Sequence, residues 1–484
     1  MFERIAKALV EGHLLKTMWN VGKNVVVKIV KKICGLGKQI NNLSVKPSIY
    51  ILSKAIPVKA NKIMFITFRG EYDCNAKWIA EEINNRKLPY EIVWTIRKKV
   101  PVEDIPANFI KTYRGSYDFY KHLASAKIIV DNGVSTAFLE YKKKKNQILV
   151  ETWHGSIGIK KFSRETNKDK KWVATAEKEG KMTDYCISNS TMEDEIYTDT
   201  FWSQSRILQL GHARNDILCE RNTERLTEIR EKVYKSLKLE KYIDETKKTR
   251  QKQLERWFRE KKLELPPAFA HLNQGNPFDS VDVTNMEAVR NFMREECAKM
   301  EDLRICLYAP TFRDDGDMRP YKIAYKRLKE ALTERFGGNW VILTRFHFRL
   351  LKKIKNSKLP AGVIDASKYS DIYELLTCVD VGITDYSSWI CDYLLTRRAG
   401  FLFATDMTSF EEKDREFFYP LNSMPYPLAL DNEELIENVL NFDADGAFAT
   451  KCDEFIRDKG CMDDGHAAER VVDAIERMMR GEQV

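Results

Sequence analysis

The ten cysteines of this chain form no C-x-x-C pair, which removes the paired-cysteine zinc sites and the thioredoxin-type redox motif. Scattered in this way they read as reduced thiols of a cytosolic protein. No uncharged apolar run reaches the roughly 18 residues of a membrane-spanning helix. No signal peptide with a cleavage site is recognisable, so the protein is expected on the cytoplasmic side. There is no G-x-x-x-x-G-K-[ST] loop and no G-x-G-x-x-G fingerprint, which argues against P-loop nucleotidases and NAD enzymes. Aromatic residues are not interleaved with basic ones as a nucleic-acid platform requires, so no nucleic acid is expected as a partner. Low complexity is confined to Lys142–Lys145, a solvated turn.

What is present is a chain of 484 residues, 43% hydrophobic, with a modest net charge of +9. That length suggests two or three domains. Residues 1–45 stand apart: Leu9, Leu15, Trp19, Val26 and Ile33 recur at roughly helical spacing among Lys7, Lys16, Lys23, Lys31 and Lys38. A basic amphipathic segment with an embedded Trp suits an anionic membrane surface. Residues 46–238 alternate apolar strand candidates with helical segments: Lys62–Phe68, Tyr90–Ile96, Lys127–Val130, Gln147–Thr152, Tyr185–Ile187 and Ile207–Leu210. The alternation returns over 301–484, with Arg304–Ala309, Trp340–Leu343, Gly362–Ile364, Val379–Ile383 and Gly400–Ala404. Strand–helix alternation predicts parallel sheets covered by helices. The expected fold class is α/β, two Rossmann-like domains facing a cleft, GT-B-like, with ligands beyond the carboxyl ends of the strands. The charged stretch 239–300 has no strand pattern and reads as a helical insertion.

The candidate chemistry lies at strand ends. Val379–Leu395 reads as strand, polar turn, helix, with Thr384-Asp385-Tyr386-Ser387-Ser388 as the turn. Two hydroxyls beside the free N–H groups of a helix start suit phosphate oxygens; alternatively Asp385 or Ser387 simply caps the helix. Trp153-His154-Gly155 follows the buried-looking strand Ile148–Val150. Histidine is the side chain best suited to exchange protons near neutral pH, and Lys160 adds positive charge nearby. Arg214 and Asp216 follow another strand, Thr311 and Arg313 a third, and Arg345 and His347 a fourth. Recurrence of Arg, His and Ser-Ser at successive strand ends points to a multiply charged phosphate ligand. Asp315-Gly316-Asp317 matches the D-x-D of metal-dependent glycosyltransferases, but three loop residues are a weak signal. No metal or other cofactor is expected, and a divalent ion is not indicated.

Together these motifs resemble the CDP-glycerol glycerophosphotransferase family, the teichoic acid primases and polymerases and their capsule-synthesis relatives. The resemblance rests on W-H-G at Trp153–Gly155, R-N-D after Gly211, Y-A-P-T-F-R at Tyr308–Arg313, T-D-Y-S-S at Thr384–Ser388 with D-Y at Asp392-Tyr393, and D-G-H-A-A-E-R at Asp464–Arg470. The chain departs from the family pattern in Gly211-His212-Ala213, where G-Y-P is usual, and in Phe348, where R-x-H is usually followed by Pro. The resemblance implies a GT-B-like enzyme at the cytoplasmic membrane face. It would move glycerol phosphate, or another alditol phosphate, from a CDP-alditol to a hydroxyl of a lipid-linked or polymeric acceptor, releasing CMP. It further implies His154 and His347 as catalytic residues. Thr311, Arg313, Arg345, Thr384, Asp385, Ser387, Ser388 and Asp392 would lie around the donor phosphates, and Trp153, Gly155, Lys160, Arg214 and Asp216 on the acceptor or supporting side. Residues 46–238 become the acceptor domain and 301–484 the CDP-alditol domain with a closing C-terminal helix. CDP-ribitol as donor, a nucleotide-sugar glycosyltransferase of the same fold, and a catalytically idle membrane scaffold are the competing readings; a homo-oligomer is left open.

Overall fold

The structure, a computed structural model, describes residues 56–243 and 303–484 apart from 99, 139–140, 163–168, 314–315, 348–349, 351–358, 414 and 444–445, and also 287–288 and 291–292. The expected amphipathic segment 1–45 lies outside the described residues, as does nearly all of the expected insertion 239–300. Among the described residues no helix is long and apolar enough to cross a membrane.

The first unit runs to Cys219 and takes back Ile456–Val484. Its strands are β1 (Lys62–Ile66), β2 (Glu91–Ile96), β3 (Ile110–Tyr113), β4 (Ile128–Asp131), β5 (Ile148–Glu151), β6 (Tyr185–Ser188) and β7 (Arg206–Gln209). They form one sheet in the order β3-β2-β1-β4-β5-β6-β7, parallel throughout. A central parallel strand is covered on both faces and so reads as an unbroken apolar run. In β1 all of Lys62–Ile66 is buried, the Lys62 ammonium being satisfied by Glu91 at 2.6 Å and by Ser125 Oγ at 2.9 Å. Strand β3, I-K-T-Y, buries only Thr112. It is an edge strand without an apolar run, and for that reason its sequence gives no strand signal.

The second unit is Glu220–Phe455. Its strands are β8 (Leu303–Tyr308), β9 (Asn339–Thr344), β10 (Val363–Asp365), β11 (Val381–Thr384), β12 (Ala399–Phe403) and β13 (Leu428–Ala429). The order is β10-β9-β8-β11-β12-β13, again parallel. The paired residues of β13 are only Leu428 and Ala429, too short to register as a periodic segment. Each unit is thus a doubly wound parallel sheet, Rossmann-like as expected.

The unit boundaries differ from the sequence expectation of 238 and 301. The helix Thr223–Leu237 belongs with the second unit, where Lys232 pairs with Glu374 at 3.0 Å. The terminal helix Ala467–Arg480 belongs to the first unit, not to the domain that precedes it in sequence. It buries Val471, Val472, Ile475 and Met478. Its first N–H groups, on Ala467 and Ala468, donate to the two carboxylate oxygens of Asp216 at 2.9 and 2.7 Å. Asp216 therefore caps a helix more than two hundred residues away in sequence. Asp463 completes the latch, accepting from His212 N at 2.7 Å, Asn189 Nδ2 at 2.6 Å and Asn215 Nδ2 at 2.7 Å. Local patterning marks the helix, but only these distant partners decide which sheet it covers.

Candidate active site

In open parallel sheets a ligand crevice forms outside the carboxyl ends of the strands where the strand order reverses. That point lies between β1 and β4 in the first unit and between β8 and β11 in the second.

In the first unit the loops after β1 and β4 present Phe68 and Asn132, and His154 follows β5. His154 is set against both loops. Its Nδ1 lies 2.7 Å from the Asn132 carbonyl oxygen, and its ring stacks on Phe68 with centroids 5.6 Å apart and planes at 18°. Phe68 is tied to the same loop, its N–H donating to Asn132 Oδ1 at 2.8 Å. A carbonyl can only accept, so Nδ1 carries the proton and the lone pair of the neutral ring sits on Nε2. His154 is solvent-exposed. A histidine in this tautomer at this edge can take a proton from a hydroxyl.

The backbone beneath it is strained. Trp153 has φ 48° and Val134 φ 60°, conformations that cost on the order of 1–3 kcal/mol each for such residues. The Trp153 indole is buried against Phe162, Trp172 and Trp202, at 5.4, 6.4 and 5.3 Å between centroids. A Cβ at Gly155 would lie 3.0 Å from that indole, so the position after His154 has to be small. Arg214 is fully buried and donates to the Gly155 carbonyl. Its own N–H is held by Asn75 Oδ1 at 3.2 Å, and Asn75 Nδ2 donates to the Thr152 carbonyl at 3.0 Å. Arg214 thus supports the W-H-G loop from inside and does not face an acceptor anion, while Asp216 is consumed as the helix cap. Lys160 is half-buried beyond the loop.

A group that the sequence reading missed lies below. Asp131, Glu151 and Glu179 are buried and bring carboxylate oxygens within 4.8 Å of one another. Burial, and then the neighbouring carboxylates, push Glu151 well above the usual carboxylate range. Burial also raises Asp131, with Arg114 opposing the shift. The available signal was that I-I-V-D and I-L-V-E, on adjacent strands, both end in an acid.

In the second unit the loops after β8 and β11 carry Ala309–Arg313 and Asp385–Ser388, which are stitched together. Thr384 Oγ1 and Trp389 Nε1 both donate to the Ala309 carbonyl, at 2.8 and 3.0 Å. Thr311 N–H donates to Asp385 Oδ1 at 2.7 Å. Several residues expected around the donor phosphates are spent on this framework. The Arg313 guanidinium pairs with Asp385 at 2.8 Å, with Asp406 through Nε and Nη2 at 2.7 Å each, and with the Thr311 carbonyl at 2.7 Å. It also lies over the rings of Tyr386 and Phe410, at 4.8 and 4.9 Å. A planar fork so occupied is a buried strut, not a phosphate ligand. Arg345 donates to the carbonyls of Ala366, Tyr369 and Ser370 and pins that loop. Asp392 is buried and accepts from Tyr373 OH at 2.6 Å. Asp385 and Asp392 are accordingly poor candidates for a base.

Ser387 and Ser388 are different. Both are half-exposed. The residue before the helix Trp389–Tyr393 is Ser388, whose side chain makes no capping bond, and Asp385 accepts from the N–H groups of Thr311 and Tyr386 rather than from the helix. The hydroxyls and N–H groups of Ser387 and Ser388 have no partner among the described residues. Two hydroxyls and two backbone N–H groups at a switch point make a cluster of donors of the kind that suits phosphate oxygens. Thr311 lies on the adjacent turn. His347, just past the end of β9, packs its ring on Phe312 with centroids 5.2 Å apart. Of the D-x-D, Asp315 lies outside the described residues, and Arg319 holds the Asp317 carboxyl down at about 2.

The family model for CDP-glycerol:poly(glycerophosphate) glycerophosphotransferase matches residues 48–241 and 269–477. The chain belongs to this family. The teichoic acid poly(glycerol phosphate) polymerase of Staphylococcus epidermidis is 26% identical over 97% of the chain and 56% of its own length. That of Bacillus subtilis is 24% identical over 93% and 53%. The chain therefore spans about half the length of these curated relatives. A solved structure of the wall teichoic acid polymerase TagF, soaked with CDPG, superposes with a TM-score of 0.67 at 25% identity, covering 93% of this chain and 98% of that one. The glycerophosphotransferase motifs read from the sequence all fall inside the matched residues.

Proposed function

We propose that the chain transfers glycerol phosphate, or another alditol phosphate, from a CDP-alditol to a hydroxyl of a membrane-linked acceptor or growing teichoic acid-like polymer. The acceptor oxygen bonds to the phosphorus bearing the alditol as the bond to CMP breaks. The acceptor proton passes to Nε2 of His154, and the negative charge leaves on CMP. A hydroxyl is a poor nucleophile, and a neutral imidazole with its lone pair on Nε2 is a suitable base. Ser387, Ser388 and the N–H groups of their turn hold the donor phosphates and stabilise charge as it develops, with Thr311 and His347 beside them. Arg313, Asp385, Thr384, Arg345 and Asp392 keep that turn rigid, and Trp153, Gly155 and Arg214 do the same for His154. The basic segment 1–45 would dock the protein on the anionic cytoplasmic face of the membrane.

The observation that carries this reading is the Ser387–Ser388 pair at the switch point of the second sheet, whose hydroxyls and N–H groups bond to no other described residue, in a chain of this family. The Ser387→Ala, Ser388→Ala double variant should unfold like the parent, since neither hydroxyl bonds to another of the described residues. Its affinity for CDP-glycerol should fall by roughly 1.5–3 kcal/mol for each hydrogen bond lost to a charged group. Calorimetric titration with CDP-glycerol, alongside a melting curve, checks this. Unchanged affinity would remove the turn from the donor site.

A further inference from the structure

The buried Glu151 carboxyl has no role in the transfer as described, yet it touches both loops that define His154. One oxygen, Oε1, accepts from Trp153 N–H at 2.7 Å, and the other, Oε2, from Val134 N–H at 3.4 Å. Both Trp153 and Val134 have a positive φ, 48° and 60°. Both are bulky, and neither would adopt the left-handed region without an outside tie. Trp153 immediately precedes His154. Val134 belongs to the turn 132–134, whose Asn132 carbonyl receives the His154 Nδ1 proton. The rest of that turn hangs on Asp131, which accepts from Gly133 N at 3.1 Å and Thr136 N at 2.8 Å, while its own carbonyl accepts from Thr152 N at 2.8 Å. Glu179 bonds to the N–H groups of Ala137 and Thr136 and to Asp131.

We infer that Glu151 is the positioning residue for His154: one buried carboxyl clamps both the loop carrying the imidazole and the loop carrying its proton acceptor, and so selects the ring tautomer. Resting on the reading of His154 as base, this deepens it: the histidine is made basic at Nε2 by a side chain that touches neither substrate. Two acceptor oxygens are needed, because two N–H groups have to be met at once. A glutamine at this position offers one oxygen, and its NH₂ meets the second N–H donor to donor. One of the two strained residues is then released, and with it the registration of ring and carbonyl.

The test combines kinetics with the imidazole nitrogen resonances of ¹⁵N-histidine-labelled full-length protein, the His154 signals being assigned by their loss in His154→Ala. In the parent, His154 is expected protonated at Nδ1 and bare at Nε2 when neutral. In Glu151→Gln the two nitrogens should shift toward each other as the tautomers mix. The rate of CMP release should fall roughly 10²-fold, the scale of a small misplacement of a catalytic group, with CDP-glycerol affinity within about twofold of the parent. Glu179→Gln, which changes another carboxyl of the same cluster but bonds to neither Trp153 nor Val134, should leave the tautomer and the rate as they are. Should Glu151→Gln fail to fold, Glu151→Asp carries the same test, since it keeps both carboxyl oxygens and withdraws them by one methylene. A parent His154 protonated at Nε2, or a Glu151 variant with parental tautomer and rate, would overturn the inference. The resonances are read without turnover, so an active His154→Ala would refute the base assignment while leaving the tautomer clamp measurable by itself.

Discussion

His154→Ala will lower CMP release from CDP-glycerol by roughly 10²–10⁴-fold, the usual range for loss of a general base, while the affinity for CDP-glycerol barely changes. The reason is geometric. The imidazole is set against Asn132 and Phe68 of the first unit, whereas the donor phosphates are assigned to residues of the second. Its removal should not unfold the protein, because the ring is solvent-exposed. His347→Ala should behave differently. That ring packs against Phe312, next to Thr311, so donor affinity should fall together with turnover. Steady-state rates and donor titrations of both variants separate the roles. If His154→Ala retains more than about a tenth of the parental rate, well short of the loss expected for a base, or loses donor affinity as His347→Ala does, the assignment is wrong.

The second large effect concerns stability. Arg313→Met should destabilise the second unit by about 3–5 kcal/mol, the cost of breaking a buried ion pair from one side. Arg313 and Asp385 side chains are each 3% exposed, so the carboxylate left behind keeps its N–H donors from Thr311 and Tyr386 but loses its counter-charge. Arg313→Lys should rescue little, since an ammonium cannot span Asp385 and both oxygens of Asp406 as the guanidinium does. The loss should depend on pH. Burial alone would raise the Asp406 carboxyl, but Arg313 outweighs it and holds Asp406 below its ordinary value of 3.8. A carboxyl with a depressed folded value contributes stability above the unfolded value and loses it as pH falls through the folded one. The gap between parent and variant should therefore be widest near neutral pH and narrow below about 4. Urea unfolding at several pH values measures it. A variant that melts normally but no longer binds CDP-glycerol would restore Arg313 to the donor site.

These two outcomes mark where reading the sequence works and where it stops. Strands β1, β4, β5 and β11 are legible because a strand covered on both faces has to be apolar throughout, as I-I-V and V-G-I are. Strands β3 and β13 are not, because an edge strand buries little and two residues carry no period. The strand ends are legible as places of chemistry. What a strand-end Arg or Asp does there is not, because it depends on which neighbouring loop it meets. Arg313 and Asp385 are far apart in sequence and form one ion pair; each alone looks like a ligand for something outside the protein. Ser387 and Ser388 carry the same ambiguity in sequence. In their case it is the absence of internal bonds among the described residues that separates the alternatives. Asp216 and the D-G-H-A-A-E-R stretch look in sequence like parts of a functional pattern, and in the fold they form a helix cap and latch within the first unit. A recurrent motif can preserve a fold junction as readily as a catalytic group.

The central claim is that the product linkage is a phosphodiester. The most direct measurement incubates the purified chain with CDP-glycerol and a synthetic lipid-linked glycerol phosphate acceptor, then follows nucleotide release and the ³¹P spectrum of the acceptor together. The account predicts CMP in equal amount to glycerol phosphate gained by the acceptor, with a new phosphodiester resonance. An intact CDP-glycerol, alongside a nucleotide sugar consumed to give a nucleoside diphosphate and a glycosidic product without new phosphorus, would contradict it.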